Sequence, residues 1–211
     1  MRAVAIAAAA FTSALVASCG SRHETSPPPP SHRAPPAPAA GVLPDDAEQK
    51  RFDAERRPDL VVAALKLSET ARIADIGAGS GLLTVHLALA VPKGGVVATD
   101  IDDAVLELLG QRMTQAKVSN VERRVVPAED PSLEVGTYDA IVLAEVDHYL
   151  GDAKAWLAKA KAALRPGGKL AITNRMHRKS ASMSNAQLAG LVIAHESSPT
   201  NTHFLAVFTA R

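Results

Sequence analysis

The sequence predicts an α/β protein with a doubly wound, mainly parallel sheet in a single domain. Short apolar runs alternate along the chain with stretches that have the 3.6-residue period of amphipathic helices. A glycine-rich turn joins the first of these runs to a helical stretch. Repeated strand–helix alternation gives right-handed βαβ units, and helices then cover both faces of the sheet. The chain has 211 residues, which is enough for one such domain.

The strands are predicted from apolar runs that suit burial on both faces of a sheet. The parallel candidates are residues 73–76, 96–99, 124–126, 140–143 and 170–173. Two further runs, residues 191–194 and 204–209, are joined by a segment with no helical pattern. Because so short a connection cannot make a parallel crossover, we expect an antiparallel hairpin at the sheet edge.

Helices are predicted between the strands from stripes of apolar side chains. The stripes are Leu82, Val85, His86 and Leu89; Val105, Leu108, Leu109 and Met113; and Trp156, Leu157, Ala160 and Leu164. Asp102 or Asp103 is the predicted N-cap of the second helix. Pro166 and the two glycines after it end the third.

The glycine-rich turn is the strongest local signal for a ligand site. Gly77, Gly79 and Gly81 follow the first strand, so the backbone can turn sharply and approach a ligand closely. Their G-x-G-x-G spacing differs from the G-x-G-x-x-G of dinucleotide sites. Asp75 precedes the turn, and a carboxylate there would repel a pyrophosphate but help to seat an ammonium group. This charge pattern favours S-adenosylmethionine over a dinucleotide.

A second acidic position follows the second strand. Asp100 lies where a carboxylate can accept hydrogen bonds from both hydroxyls of a ribose. Ile101 beside it can cover one face of an adenine. The alternative is that Asp100 and Asp102 only cap the following helix.

In these segments the sequence resembles the class I S-adenosylmethionine-dependent methyltransferases, which have a Rossmann-like fold. The resemblance extends from about residue 51 to the C-terminus. It is carried in order by D-I-G-A-G-S-G at 75–81, V-V-A-T-D-I-D at 96–102, P-A-E-D at 127–130, Y-D-A-I-V-L at 138–143 and L-R-P-G-G-K-L at 164–170. It implies a seven-stranded sheet of order 3-2-1-4-5-7-6 with strand 7 antiparallel. It also implies that the helix at residues 51–59 precedes the sheet and covers the site.

The resemblance further implies which residues contact the methionine part of the cofactor. They are Asp75, Gly77, Ala78, Gly79 and Gly81.

It implies roles for five more residues around the nucleoside and the sulfonium. Asp100 would bind the ribose, and Ile101 would flank the adenine. Glu129 and Asp130 would meet the adenine amino group. Glu145, which follows the fourth strand, would face the sulfonium and the acceptor.

Catalytic residues are less clearly indicated, because methyl transfer depends mainly on alignment and needs a base only when the acceptor must lose a proton. Asp147, His148 and Tyr149 follow the fourth strand and are the candidates. His148 could accept a proton near neutral pH, or it could be a loop histidine packed by its neighbours. The segment 174–191 lacks the insertions that often form an acceptor lid, so the acceptor stays open.

The N-terminus has the pattern of an export signal. Residues 1–19 combine Arg2, a short apolar run and small residues, and the run is too short to span a bilayer. Val16 to Cys19 resembles a bacterial lipobox, which predicts lipid attachment at Cys19 and an envelope location. We expect residues 20–44 to form a proline-rich, disordered linker and residues 45–211 to form the domain. The alternatives are a plain export signal, or a cytoplasmic enzyme whose start is mis-called.

Composition and net charge exclude some classes of function. A net charge of +1 gives no electrostatic footprint for nucleic acid, and a single cysteine with no metal spacing among seven histidines predicts no metal site. We expect methyl transfer from S-adenosylmethionine to a small-molecule acceptor. The alternative is an envelope-tethered binding module that keeps the fold without turnover. A dehydrogenase would need the other glycine spacing and a substrate domain.

Overall fold

The computed structural model describes residues 41–210, which form one seven-stranded sheet with helices on both faces. The strands are β1 (Arg72–Ile76), β2 (Gly95–Asp100), β3 (Val121–Val125), β4 (Tyr138–Ala144), β5 (Leu164–Arg175), β6 (Leu191–Ser197) and β7 (His203–Ala210). The helices are α1 (Ala47–Arg56), α2 (Pro58–Leu65), α3 (Thr84–Ala90), α4 (Asp103–Gln115), α5 (Ala153–Ala163) and α6 (Lys179–Leu188). Short 3₁₀ turns lie at Asp147–Tyr149 and Met176–Arg178.

The strand order is β3-β2-β1-β4-β5-β7-β6, which confirms the expected order. Strands β1 to β5 run parallel, and β7 pairs antiparallel with both β5 and β6, which confirms the hairpin. The carboxyl ends of the parallel strands therefore meet at one edge of the sheet. In doubly wound sheets this is the edge at which ligands bind.

Four details differ from the sequence prediction. In α4, Leu106 is buried and Leu108 is 51% exposed, because two residues along a helix turn the side chain by about 200°. The third helix ends at Ala163, since a proline at 166 disfavours helical geometry before it. Strand β3 begins at Val121 and is largely exposed, because it lies at the sheet edge.

The fourth difference is that the single helix predicted at 51–59 is two helices. Arg57 lies between α1 and α2 with a left-handed backbone, at φ 50°. Pro58 begins α2 at the position in a helix where proline fits best. The bend directs Arg56, the last residue of α1, toward the edge of the sheet where the strands end.

The predicted signal peptide, the lipid-attachment site at Cys19 and most of the predicted linker lie outside the described residues. Residues 41–44, which the sequence places in the linker, are described, and there Val42 N–H donates to the carbonyl of Ala116 over 2.9 Å. Within residues 41–210, the helices are all too short or too polar to cross a membrane.

Candidate functional site

A cleft of about 370 Å³, called the main cleft below, opens at the carboxyl ends of β1 to β4. Each of these strands contributes residues to it, in keeping with the rule for open α/β sheets. The lining residues are Ile76, Gly77, Thr99, Asp100, Ile101, Val126, Pro127, Ala128, Asp130, Ala144, Glu145, Val146, Tyr149, Leu150 and Trp156. Of the predicted cofactor-binding residues, Gly77, Asp100, Ile101 and Asp130 line the cleft after β1, β2 and β3, and Glu145 lines it after β4.

The glycine turn forms one end of the main cleft. Gly77 lines it with φ +64°, and a Cβ built there would lie 2.6 Å from Cγ2 of Val146. Gly79 also has a positive φ, but no atom lies within 4 Å of its hypothetical Cβ. The backbone of Ala78 donates to the carbonyl of Thr99 over 2.9 Å, which fixes the turn to the end of β2. Ala78, Gly79 and Gly81 thus shape the turn, and Gly77 is the glycine at the cleft surface.

Asp100 organises the end of β2. Its carboxylate accepts hydrogen bonds from the backbone N–H groups of Gly79 at 2.9 Å, Ile101 at 2.8 Å and Asp102 at 3.2 Å. A carboxylate has about four acceptor sites, so capacity remains for a hydroxyl donor. Asp102, in contrast, caps α4 through Ala104 N–H and does not line the cleft. The capping alternative thus describes Asp102 but not Asp100.

Asp75 lies behind the turn rather than in the main cleft. Its side chain is buried and accepts a hydrogen bond of 2.7 Å from the hydroxyl of Thr84. Burial raises the pKa of Asp75 to about 7, against the opposing effect of Thr84. The carboxylate of Asp75 is not at the cleft surface. It could therefore contact the methionine ammonium group only through a bridging molecule or after a movement of the glycine turn.

The two acidic residues that follow β3 differ in whether they line the main cleft. Asp130 lines the main cleft, where a hydrogen bond from Lys159 and another from the backbone of Ser132 lower its pKa. Glu129 is exposed and lies outside the cleft.

The three catalytic candidates occupy different environments. Asp147 is buried and accepts hydrogen bonds from Asn174 Nδ2 at 2.7 Å and from the hydroxyl of Ser182. His148 Nδ1 lies 3.0 Å from Asn174 Nδ2 and is outside the cleft lining. Tyr149 lines the main cleft and is 76% exposed. Asp147 therefore ties the end of β4 to β5 and α6, and Tyr149 alone of the three can contact a ligand in the cleft.

A second, smaller cavity of about 70 Å³, called the side cavity below, lies on the other side of Ala144 and Glu145. Both of these residues line both cavities. The remaining walls come from α1, α2, the residue before α3, β5 and β7: Phe52, Arg56, Pro58, Val61, Leu83, Thr173 and His203. A group bound there would lie next to a ligand in the main cleft.

Glu145 is the centre of a charged cluster at this boundary. Its Oε1 pairs with Arg56, lies 2.9 Å from His203 Nε2 and lies 3.3 Å from Arg175 Nε. Burial raises the pKa of Glu145, but hydrogen bonds from Arg56 and His203 more than offset it, so the pKa lies below its ordinary value. The backbone of Glu145 is left-handed at φ 57°, a strain of about 1–3 kcal/mol that typically occurs at functional sites.

Helix α1, which carries Arg56, is fixed by Arg112 of α4. The guanidinium of Arg112 is buried and donates to Asp46 at 3.0 Å, Gln49 at 3.1 Å and Glu48 at 2.7 Å. Its Nε also donates to the carbonyl of Ser80, in the glycine turn, over 3.1 Å. One side chain thus connects α1 to the glycine turn.

The charges of the main cleft discriminate between ligands. Among the described residues that line it, the acidic ones are Asp100, Asp130 and Glu145, and none is lysine or arginine. A pyrophosphate would lack a cationic partner there, whereas a sulfonium or an ammonium group suits this field. The residues present therefore fit S-adenosylmethionine. Within residues 41–210, no group of three His, Cys, Asp or Glu side chains could hold a metal ion.

Comparisons with known proteins agree with this geometry. Residues 74–170 match a family model described as "Methyltransferase domain". The chain is 29% identical over 114 residues to a cobalt-precorrin-6B C(15)-methyltransferase (decarboxylating) of Salmonella typhimurium, covering 54% of this chain and 57% of that protein. It is 30% identical over 148 residues to a ubiquinone biosynthesis O-methyltransferase of Xanthomonas oryzae pv. oryzae, covering 70% and 59%. The chain thus spans well under two thirds of either relative.

Among solved structures, a SAM-dependent methyltransferase from Aquifex aeolicus superimposes with a TM-score of 0.67 at 20% identity. The match covers 76% of this chain and 96% of that one. At this identity the likeness establishes the shared fold.

Proposed function

We propose that this chain, which contains a methyltransferase domain with S-adenosylmethionine as its cofactor, transfers the methyl group to a small-molecule acceptor. The observation that carries the proposal is the main cleft, where Gly77 and Asp100 meet at the ends of adjacent strands and the charged side chains of the described lining are all carboxylates. The two curated relatives reported above are both named as methyltransferases. That gives no support to the non-catalytic binding module.

Different residues of the main cleft bind different parts of the cofactor. Asp100 accepts the ribose hydroxyls, and Ile101 and Tyr149 supply apolar surface for the adenine at the open side. Gly77 lets the methionine part approach the backbone. The cofactor supplies a methyl group that is already activated by a positive sulfur. The chain therefore needs to align this methyl with the acceptor, which is worth several kcal/mol in proximity alone.

The acceptor side is the side cavity, since it adjoins the main cleft across Ala144 and Glu145. Its volume of about 70 Å³ admits only a few heavy atoms in this conformation. A small acceptor, or one reacting group of a larger small molecule, suits this space.

Asp100→Ala tests the proposal directly by calorimetric titration with S-adenosylmethionine. We expect affinity to fall by about 30-fold, because hydrogen bonds to a charged group are worth about 1.5–3 kcal/mol each. Asp102→Ala is the matched control: it removes the same charge and only a helix cap, so affinity should stay within about threefold. Equal affinities in the two variants, or no binding by the wild type, would contradict the proposal.

We also propose that the chain is exported and anchored through a lipid on Cys19, with residues 20–44 as spacer. The support is the sequence pattern Val16 to Cys19 after a short apolar run. Mass spectrometry of the N-terminus from native membranes should find a diacylated cysteine as the first residue. Retention of Met1 would overturn this and favour the cytoplasmic alternative.

A further inference from the structure

We infer that the acceptor is a small carboxylic acid whose carboxylate binds Arg56 and Arg175 beside Glu145 and is methylated directly on oxygen. This inference rests on the proposed methyl transfer and specifies its substrate class. Three features of the side cavity carry it: its charge, the hydrogen bonding of its histidine, and the position of Glu145.

Charge distinguishes the side cavity from the main cleft. Two guanidinium groups, those of Arg56 and Arg175, converge on one oxygen of Glu145. Among the described residues that line the side cavity, Glu145 is the sole acid. The sulfonium thus faces acidic walls, whereas the side cavity has the guanidinium of Arg56 in its wall and that of Arg175 next to it, on Glu145. An arginine pair binds a planar carboxylate more favourably than a neutral hydroxyl or amine.

The histidine of the side cavity offers no free base to a neutral acceptor. His203 Nε2 lies 2.6 Å from Arg56 Nη1 and 2.9 Å from Glu145 Oε1. Its Nδ1 lies 2.8 Å from the hydroxyl of Thr202, which can donate or accept a hydrogen bond. Both ring nitrogens of this buried histidine therefore already have partners, and a hydroxyl or phenol would find no free nitrogen there to take its proton.

A carboxylate needs no base, because it is ionised at neutral pH before it binds. One of its oxygens attacks the methyl carbon, and the new C–O bond forms as the C–S bond breaks. The electron pair of the C–S bond stays on sulfur. A positive sulfonium and a negative carboxylate become a neutral methyl ester and a neutral thioether, and no proton moves.

Glu145 occupies in the free protein the place where the acceptor carboxylate would bind. Its left-handed backbone brings its side chain between Arg56 and Arg175. An incoming carboxylate must compete with it for the same donors. Removing the charge of Glu145 should therefore strengthen acid binding, whereas removing either arginine should weaken it.

Calorimetric titration of the full chain tests these opposite signs. The probes are succinate and tricarballylate, each compared with its amide counterpart, in the presence of S-adenosylhomocysteine. We expect at least one acid to bind at least tenfold more tightly than its amide. Arg56→Gln and Arg175→Gln should each weaken acid binding at least fivefold, and Glu145→Gln should strengthen it.

Arg51→Gln is the matched control, because it removes the same charge from the exposed face of α1 outside both cavities. Arg175 is exposed and is the last residue of β5, so its variant remains informative if Arg56→Gln loosens α1. Absence of any preference for acids over amides would overturn the inference. Weaker acid binding by Glu145→Gln would do the same.

The product gives a second, independent readout. The full chain is incubated with methyl-tritiated S-adenosylmethionine and the acidic fraction of a metabolite extract, and the product is treated with mild alkali. A methyl ester releases volatile tritiated methanol, whereas methyl groups on nitrogen, carbon or ether oxygen stay bound. Alkali-stable label would overturn the carboxylate acceptor and leave the methyltransferase function standing. Failure to bind S-adenosylmethionine would instead refute the proposed function itself.

Discussion

The two cavities that meet at Glu145 are assembled in different ways. The main cleft is built from short motifs at the ends of successive parallel strands, such as the turn at Gly77 and the acid at Asp100. The side cavity combines the end of α1 with the first residue of β7, and 147 residues separate Arg56 from His203. The first also has acidic walls, whereas the second has two guanidinium groups at its boundary.

On the proposed assignment, this difference would let one sheet edge receive a cation and an anion side by side. Local motifs create the main cleft, since a βα turn and the following strand end are fixed by the fold. Elements that are remote in sequence create the side cavity, which we propose as the acceptor side. Glu145 lies at the boundary between the acidic main cleft and the side cavity, because it lines both.

The largest expected effect concerns the steric shape of the main cleft. Gly77→Ala adds a Cβ that would lie 2.6 Å from Val146, at a φ of +64°. Left-handed strain and overpacking together should lower the free energy of unfolding by about 3 kcal/mol and weaken S-adenosylmethionine binding sharply. Gly79→Ala is the control, since its φ is +55° but its Cβ meets no atom within 4 Å, so about 1 kcal/mol should be lost. Urea denaturation measures both, and equal losses would show that Val146 does not shape the cleft.

The next effect concerns the connection between α1 and the glycine turn. Arg112→Gln removes a buried guanidinium that binds α1 and the carbonyl of Ser80. We expect the free energy of unfolding to fall by about 2 kcal/mol and α1 to become accessible to proteases. The control is Arg123→Gln, which removes a more exposed pair with Glu107 and should cost under about 1 kcal/mol. If α1 were as resistant to proteases in Arg112→Gln as in the wild type, Arg112 would not be what holds α1 in place.

A smaller effect depends on pH and involves Asp75, behind the glycine turn. Burial raises its pKa to about 7, so between pH 4 and pH 7 the folded protein keeps a proton that the unfolded chain releases. Stability should therefore fall with rising pH, by about 1 kcal/mol between pH 6 and pH 7, and the loss should level off above pH 7. Asp75→Asn should abolish this component in urea denaturation at several pH values. An unchanged slope in the variant would assign the pH dependence to another group.

The contrast between the cavities also explains what the sequence could predict. The strand order is implied by the family resemblance, and the placement of Gly77, Asp100 and Ile101 in the cleft follows from short motifs at the strand ends. The cluster around Glu145 could not be predicted, because no periodicity relates Arg56 to His203 and each looks like an ordinary polar residue at the end of an element. The burial of Asp75 was missed for a similar reason: its partner Thr84 comes from the helix after the turn.

The smallest expected effect concerns the turn after β4, at the margin of the main cleft. His148 lies outside the cleft and its Nδ1 faces the Asn174 amide, so His148→Gln should keep turnover within about threefold of the wild type. Tyr149→Ala should weaken S-adenosylmethionine binding by a few-fold, because it removes exposed apolar surface from the cleft wall. Turnover assays over pH 6 to 9, with calorimetry for affinity, separate the two residues. Two results together would make His148 a base: a large loss of turnover in His148→Gln, and a fall of wild-type turnover at low pH. They would favour an acceptor that must lose a proton.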